Sequence, residues 1–149
     1  MIGYDTGFFS HCLTGVDVSP ELNYDIQYYG DIRKLNDNVL HGVDIVIHLA
    51  AISNDPMGNE FAVPTYETNQ VAAIHCAELA KQNGAGGFVF ASSCSVYGAP
   101  ESGMHTESSE LNPLTAYAKS KINPEFALAE LADNNFGVTC LRFATACGF

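Results

Sequence analysis

A parallel α/β sheet is the fold class that these 149 residues predict. Short runs rich in β-branched and aromatic residues alternate along the chain with longer runs of helical periodicity, and strands that alternate with helices pair in parallel. Two of the short runs, Val43-Asp44-Ile45-Val46-Ile47 and Gly87-Phe88-Val89-Phe90-Ala91, have the composition of strands covered on both faces. An apolar content of 47% over a length that suits one domain is enough for a packed core.

The elements follow in order. Residues 1–5 read as a strand closing on Asp5, and 6–25 as an irregular stretch. A strand at 26–30 leads to a helix at 31–41, for which Asp31 is a natural N-cap. The apolar run at 43–50 is the next strand, and the periodic segment 62–83 the next helix. Gly84-Ala85-Gly86-Gly87 ends that helix as a C-cap and turn. A strand at 87–92 is followed by a loop at 94–112 rich in Gly, Ser and Pro, and Asn112-Pro113 then opens a helix running to 134. Pro124 lies inside it, where a missing hydrogen bond costs roughly 3 kcal/mol or bends the axis. A strand at 138–144 completes the pattern.

The chemistry is concentrated between the last two helical and strand segments. Tyr117 and Lys121, four residues apart, share one helix face, and Ser93 ends the strand before them. A free phenol has a pKa of about 10, and an ammonium held near it favours the phenolate. Lys121 is therefore expected to tune Tyr117 as a base, while the Ser93 hydroxyl holds the reacting oxygen. These are the candidate catalytic residues.

Charge and composition remove other classes. Six basic against 17 acidic residues give a net charge of −11, which argues against a nucleic-acid partner. The five cysteines show no Cys-x-x-Cys spacing, and the five histidines lack the spacing of a helical metal site, so neither a disulfide framework nor a metal is expected. No apolar run approaches the length of a membrane span and no signal-peptide pattern is visible, so the cytoplasm is the expected compartment and no membrane partner is implied.

Taken in order, Gly30-Asp31-Ile32-Arg33, Val46-Ile47-His48-Leu49-Ala50-Ala51, Asn69, Ser92-Ser93-Cys94-Ser95-Val96-Tyr97-Gly98, Tyr117 to Lys121 and Leu141-Arg142-Phe143 resemble the NAD-dependent epimerase/dehydratase family of extended short-chain dehydrogenase/reductases, which act on nucleotide sugars. The resemblance implies a Rossmann-like parallel sheet with helices on both faces, NAD as cofactor and a nucleotide-sugar substrate. It assigns cofactor contacts to Asp5, Asp31, Ile32, Leu49, Ala50, Ala51, Asn69, Tyr117, Lys121 and Phe143, and substrate contacts to Ser93 and Thr145. A carboxylate at Asp5 would take the adenosine ribose hydroxyls and favour NAD over NADP. Cys94 and Ser95 stand where related sugar dehydratases carry acidic residues, which favours epimerisation or reduction over dehydration.

The family pattern opens with a strand, a glycine-rich turn and a helix that bind the pyrophosphate, and none of these is found here. The expectation is one partial NAD-binding domain over 1–149, incomplete at the N-terminus and without a separate substrate domain. Two functions stay open. One is an NAD-dependent nucleotide-sugar epimerase or related sugar oxidoreductase; the other is a remnant that folds without turnover, as a homo-oligomer that covers its unpaired strand edges. A ketone reductase of the shorter group explains Val96-Tyr97-Gly98 less well.

Overall fold

The computed structural model describes residues 1–9, 24–99 and 104–144. β1 (Ile2–Asp5) and β2 (Ile26–Tyr29) pair in parallel, with Ile2 opposite Ile26 and Asp5 opposite Tyr29. β3 (Ile45–His48), β4 (Gly87–Ser93) and β5 (Gly137–Phe143) form a second parallel sheet in that order. Its register sets His48 beside Phe90 and Ser93 beside Phe143, so the ends of all three strands meet at one edge. Among the described residues no ladder joins β1 to β3.

Side-chain alternation along β4 points Phe88, Phe90 and Ser92 into the interior, where all three are buried. The two phenylalanines face α3 (Ala72–Gln82), whose Ala73, Cys76, Ala77 and Ala80 recur at helical spacing. Small side chains there let the helix sit close to the sheet. Leu35, Leu40, Leu128 and Phe136 close the same core. Complete burial of each phenylalanine contributes roughly 1.5–3 kcal/mol. The opposite face of this sheet carries Ile45, Ile47 and Leu141, which are 60%, 65% and 40% exposed. Of the helical cover implied for both faces, the described residues supply one.

Three segments depart from the sequence reading. Residues 31–41 form two 3-10 turns, Ile32–Lys34 and Asp37–Leu40, rather than one helix. Asp31 caps the first and the Asn36 side chain accepts from the Asn38 amide to start the second, so polar side chains divert the backbone from a continuous ladder. The helix expected at 62–83 begins earlier and in pieces. α1 (Asp55–Glu60) is capped by Asn54, with Pro56 in its first turn, and Phe61 interrupts it before α2 (Ala62–Tyr66). A π-helical turn at Glu67–Val71 then joins α2 to α3. Finally, α4 (Ala116–Leu131) is capped by Thr115, whose hydroxyl accepts from the Ala118 amide at 3.0 Å, and not by Asn112. Tyr117 therefore stands in the first turn of α4, and the helix continues through a buried Pro124.

Candidate active site

The edge where β3, β4 and β5 end meets the first two turns of α4. Ser93 closes β4, and its hydroxyl accepts from the Ser95 amide at 3.2 Å and from the Ser95 hydroxyl at 3.0 Å, capping the 3-10 turn Cys94–Tyr97. Lys121 is 3% exposed and its ammonium donates to the Ala91 carbonyl at 2.9 Å. That nitrogen lies 5.1 Å from the Phe90 ring centre and 6.0 Å from the ring centre of Tyr117. Tyr117 is half-buried, and the Ser93 hydroxyl lies close enough to its phenol to act on its pKa. The three candidate catalytic side chains thus converge.

Electrostatics at this point differ from the sequence expectation. Burial pushes the Tyr117 phenol above its ordinary value, the nearby Ser93 hydroxyl opposes this, and Asp55 pushes it further up. Burial is the largest influence on the phenol, and the lowering expected from Lys121 does not prevail over it. Lys121 is itself displaced, from 10.5 to about 8, by burial. His48, on the neighbouring strand, falls to about 4, again through burial first and the Lys121 charge second. Its imidazole stacks on Phe88 and Phe90, and its Nε2 is buried with no hydrogen-bond partner.

The residues expected to hold a cofactor separate into three groups. Leu49, Ala50, Ala51 and Phe143 stand at the strand ends on the side of Ser93, with Leu49 and Phe143 exposed and both alanines half-buried. Asp5 and Asp31 stand at the ends of β1 and β2. Asp5 accepts from the Gly7 amide at 2.6 Å in a tight turn, and Asp31 is held by the Arg33 guanidinium, which keeps its carboxyl below the usual range. Ile32 packs against the main core instead of lying open. Asn69 corrects its assignment. It is fully buried, accepting from the Ile52 amide at 2.8 Å and donating to the Ile52 carbonyl at 2.9 Å and Ser120 Oγ at 3.0 Å. With Ser120 Oγ donating to the Tyr117 carbonyl, Asn69 ties the loop after β3 to α4 and is itself fully buried. Thr145 lies outside the described residues.

Several participants escaped the sequence reading. Glu125 lies one further helical turn beyond Lys121 on the face that carries Tyr117, a spacing visible in the sequence. It is buried, accepts from the Ser92 hydroxyl, and receives Arg142 Nε and Nη2, the latter at 2.7 Å. Arg142 also donates to the Tyr97 hydroxyl at 2.9 Å, and Tyr97 stacks on His105. This network walls an open cavity of about 840 Å³ beside Cys94 and Phe143. Asp55 and Gly58 are the others. Asp55 Oδ1 accepts from the Thr115 hydroxyl at 2.6 Å, and a Cβ on Gly58 would stand 2.9 Å from the Tyr117 Cβ and 3.0 Å from its amide nitrogen. Only a glycine lets α1 press so closely on Tyr117. The Asn54-Asp55-Pro56 helix start was the legible signal for this segment.

The family model described as the NAD dependent epimerase/dehydratase family matches residues 14–149. A curated relative described as an uncharacterized UDP-glucose epimerase of Bacillus subtilis is 34% identical over 116 residues, which is 74% of this chain and 35% of that protein. Among solved structures, MoeE5 in complex with UDP-glucose and NAD shares 26% identity with a TM-score of 0.76, over 95% of this chain and 53% of that one. The UDP-glucuronic acid 4-epimerase from Bacillus cereus, solved with a fluorinated UDP-glucuronic acid and NAD, shares 28% identity over 82% of this chain and 40% of its own, with a TM-score of 0.71. The chain spans about a third of the length of the curated relatives it matches, at 35%, 30% and 38%.

Proposed function

The chain belongs to the NAD dependent epimerase/dehydratase family, and on that premise we propose that it carries the proton-transfer half of an NAD-dependent nucleotide-sugar epimerase. The observation that supports the reading is the convergence of Ser93, Tyr117 and Lys121 where β4 and α4 meet. Tyr117 takes the proton of a sugar hydroxyl and returns it, while Ser93 holds the same oxygen and shares the charge that develops there. NAD, when bound, supplies the hydride acceptor and donor.

The residues fit such a dinucleotide. Lys121 keeps a buried ammonium with three donors, of which Ala91 takes one, leaving donors for ribose hydroxyls. The small side chains of Ala50 and Ala51 leave the backbone at the end of β3 open to close approach, and the carboxylates of Asp5 and Asp31 offer acceptors at the ends of β1 and β2. Ligands of open parallel sheets bind at the carboxyl ends of the strands, where all these residues stand. Burial holds the Tyr117 phenol above its ordinary pKa, and further positive charge beside it would favour the phenolate that accepts the proton.

Isothermal titration with NAD, followed by an NMR assay for conversion of UDP-glucose into its 4-epimer, tests the reading. Binding and conversion that vanish in Tyr117→Phe are the expected results. No heat with NAD at millimolar concentration refutes cofactor binding. Binding without conversion selects the alternative of a folded domain without turnover.

A further inference from the structure

Ser93 is aimed by a turn that is held at both ends. Its hydroxyl oxygen accepts from the Ser95 amide and hydroxyl, so the proton of Ser93 is the one left to meet a phenol or a substrate oxygen. The turn follows Ser92 and Ser93 at the end of β4 and closes on Tyr97. Ser92, pointing inward from β4, donates to Glu125 Oε1. At the far end the Tyr97 hydroxyl accepts from Arg142 Nη1 at 2.9 Å, and its ring centre lies 5.2 Å from the guanidinium carbon. Arg142 in turn gives Nε to both Glu125 oxygens at 3.1 Å and Nη2 to Oε2 at 2.7 Å. One carboxylate therefore holds both ends of the turn.

That carboxylate belongs to the helix that bears the phenol. Tyr117, Lys121 and Glu125 occupy successive turns on one face of α4, and the register of β4 with β5 sets Arg142 beside Ser92. The network thus spans α4, β4, β5 and the turn, and it sets how Ser93 stands against Tyr117. Consecutive side chains on a strand point to opposite faces, so a fixed Ser92 also fixes the rotation of β4 on which the direction of Ser93 depends. Apolar side chains of like volume would join these elements about as firmly, but only bonds of fixed direction stop them from sliding. Glu125 and Tyr97 are buried and the Arg142 side chain is 19% exposed, so water screens the network little. Cys140, on β5, is the other titratable group against the carboxylate, and burial pushes its thiol up to about 11.

Resting on the proton-transfer reading above, we propose that Glu125 is a positioning residue: by holding the Ser92 hydroxyl directly and Tyr97 through Arg142, it fixes the turn that presents the Ser93 hydroxyl to Tyr117. It acts through Ser93 and not on the sugar.

The test removes one hydroxyl at a time from the full chain. Ser92→Ala cuts the direct tie and Tyr97→Phe the indirect one; each leaves the ion pair of Glu125 with Arg142 in place, and circular dichroism checks the fold. The readout is the Cζ resonance of Tyr117 in isotopically labelled protein at neutral pH, assigned with Tyr117→Phe, while Ser93→Ala gives the displacement that loss of the serine hydroxyl produces. Each variant is expected to move that resonance in the same direction as Ser93→Ala and at least half as far. Where the chain converts UDP-glucose with NAD, kcat is expected to fall about tenfold with KM nearly unchanged. Variants that lose Tm while the Tyr117 resonance stays in place show a merely structural network and overturn the proposal. Should one variant misfold, the other decides alone. A Tyr117 resonance that does not move even in Ser93→Ala separates the serine from the phenol, and both this proposal and the proton-transfer reading fall. Displaced resonances in a chain without turnover uphold the positioning and refute the epimerase reading alone.

Discussion

Replacing Lys121 by methionine should make the protein more stable at neutral pH. The ammonium is 3% exposed and its pKa falls from 10.5 to about 8 through burial. At ~1.36 kcal/mol per pH unit that fall is a cost of about 3 kcal/mol for keeping the charged form in the folded state. Loss of the hydrogen bond to the Ala91 carbonyl returns about 1 kcal/mol, so the variant should gain about 2 kcal/mol at pH 7. The sign follows from proton counting. Below pH 8 both folded and unfolded chains hold the proton and the whole cost is present. Between 8 and 10.5 the folded chain sheds it first, the unfolded chain binds more protons, and wild-type stability rises with pH. Above 10.5 both are neutral and the cost is gone.

Urea unfolding of both proteins from pH 7 to 10.5 reads the difference directly. The gap should close steadily over that range. In parallel, NMR titration of His48 should show its pKa moving up from about 4 in the variant, since Lys121 contributes to its depression, though not reaching 6.5 because burial is the larger cause. A variant less stable than wild type at pH 7, or a stability difference that does not change with pH, would refute the argument that Lys121 is held charged against its environment.

Other perturbations test the supporting structure. Arg142→Leu strands the buried Glu125 carboxylate and should cost about 3–5 kcal/mol, a fall in Tm of roughly 10 °C for a chain of this size, whereas the double replacement Glu125→Leu with Arg142→Leu should recover part of it; equal losses would deny the coupling. Gly58→Ala forces a Cβ to within 3.0 Å of Tyr117 backbone, so thermal stability should drop by about 1–3 kcal/mol and any turnover should lose kcat more than KM; an unchanged kcat would show that α1 does not position the tyrosine. Asn69→Ala orphans both polar groups of Ile52 and should cost about 2–3 kcal/mol, with faster hydrogen exchange at the Ile52 amide as its signature. Acid should destabilise the chain between pH 6.5 and 4 in part through His48, since the unfolded imidazole takes a proton that the buried one refuses, and His48→Leu should flatten that limb of the pH–stability curve.

What the sequence made legible divides by the range of the forces involved. Strands β3 and β4 were readable because a buried parallel strand needs an apolar run whatever surrounds it, and the trio Ser93, Tyr117 and Lys121 because order along the chain and one helical spacing bring it together. Residues 31–41 misled because their periodicity suited a helix while Asp31 and Asn36 captured backbone amides locally. Asn69 misled for the opposite reason. Its partners, Ile52 and Ser120, lie 17 and 51 residues away, and only a π-helical turn aims it inward.

The same distinction applies to the pKa of Tyr117. Spacing says that an ammonium is near a phenol, but not which of burial and charge prevails, and here burial comes first for both partners. The buried ammonium, pushed down to about 8, is held charged against its surroundings, whereas the phenol, pushed up, rests in its neutral form. A bound cation beside the pair would favour the phenolate, and hydroxyls meeting the free donors of Lys121 would favour its charged form. On that argument ligand binding should stabilise the wild type more than Lys121→Met by at least the strain that the lysine carries. NAD-induced shifts in Tm that are equal in the two proteins would show that the buried charge has no part in holding the cofactor.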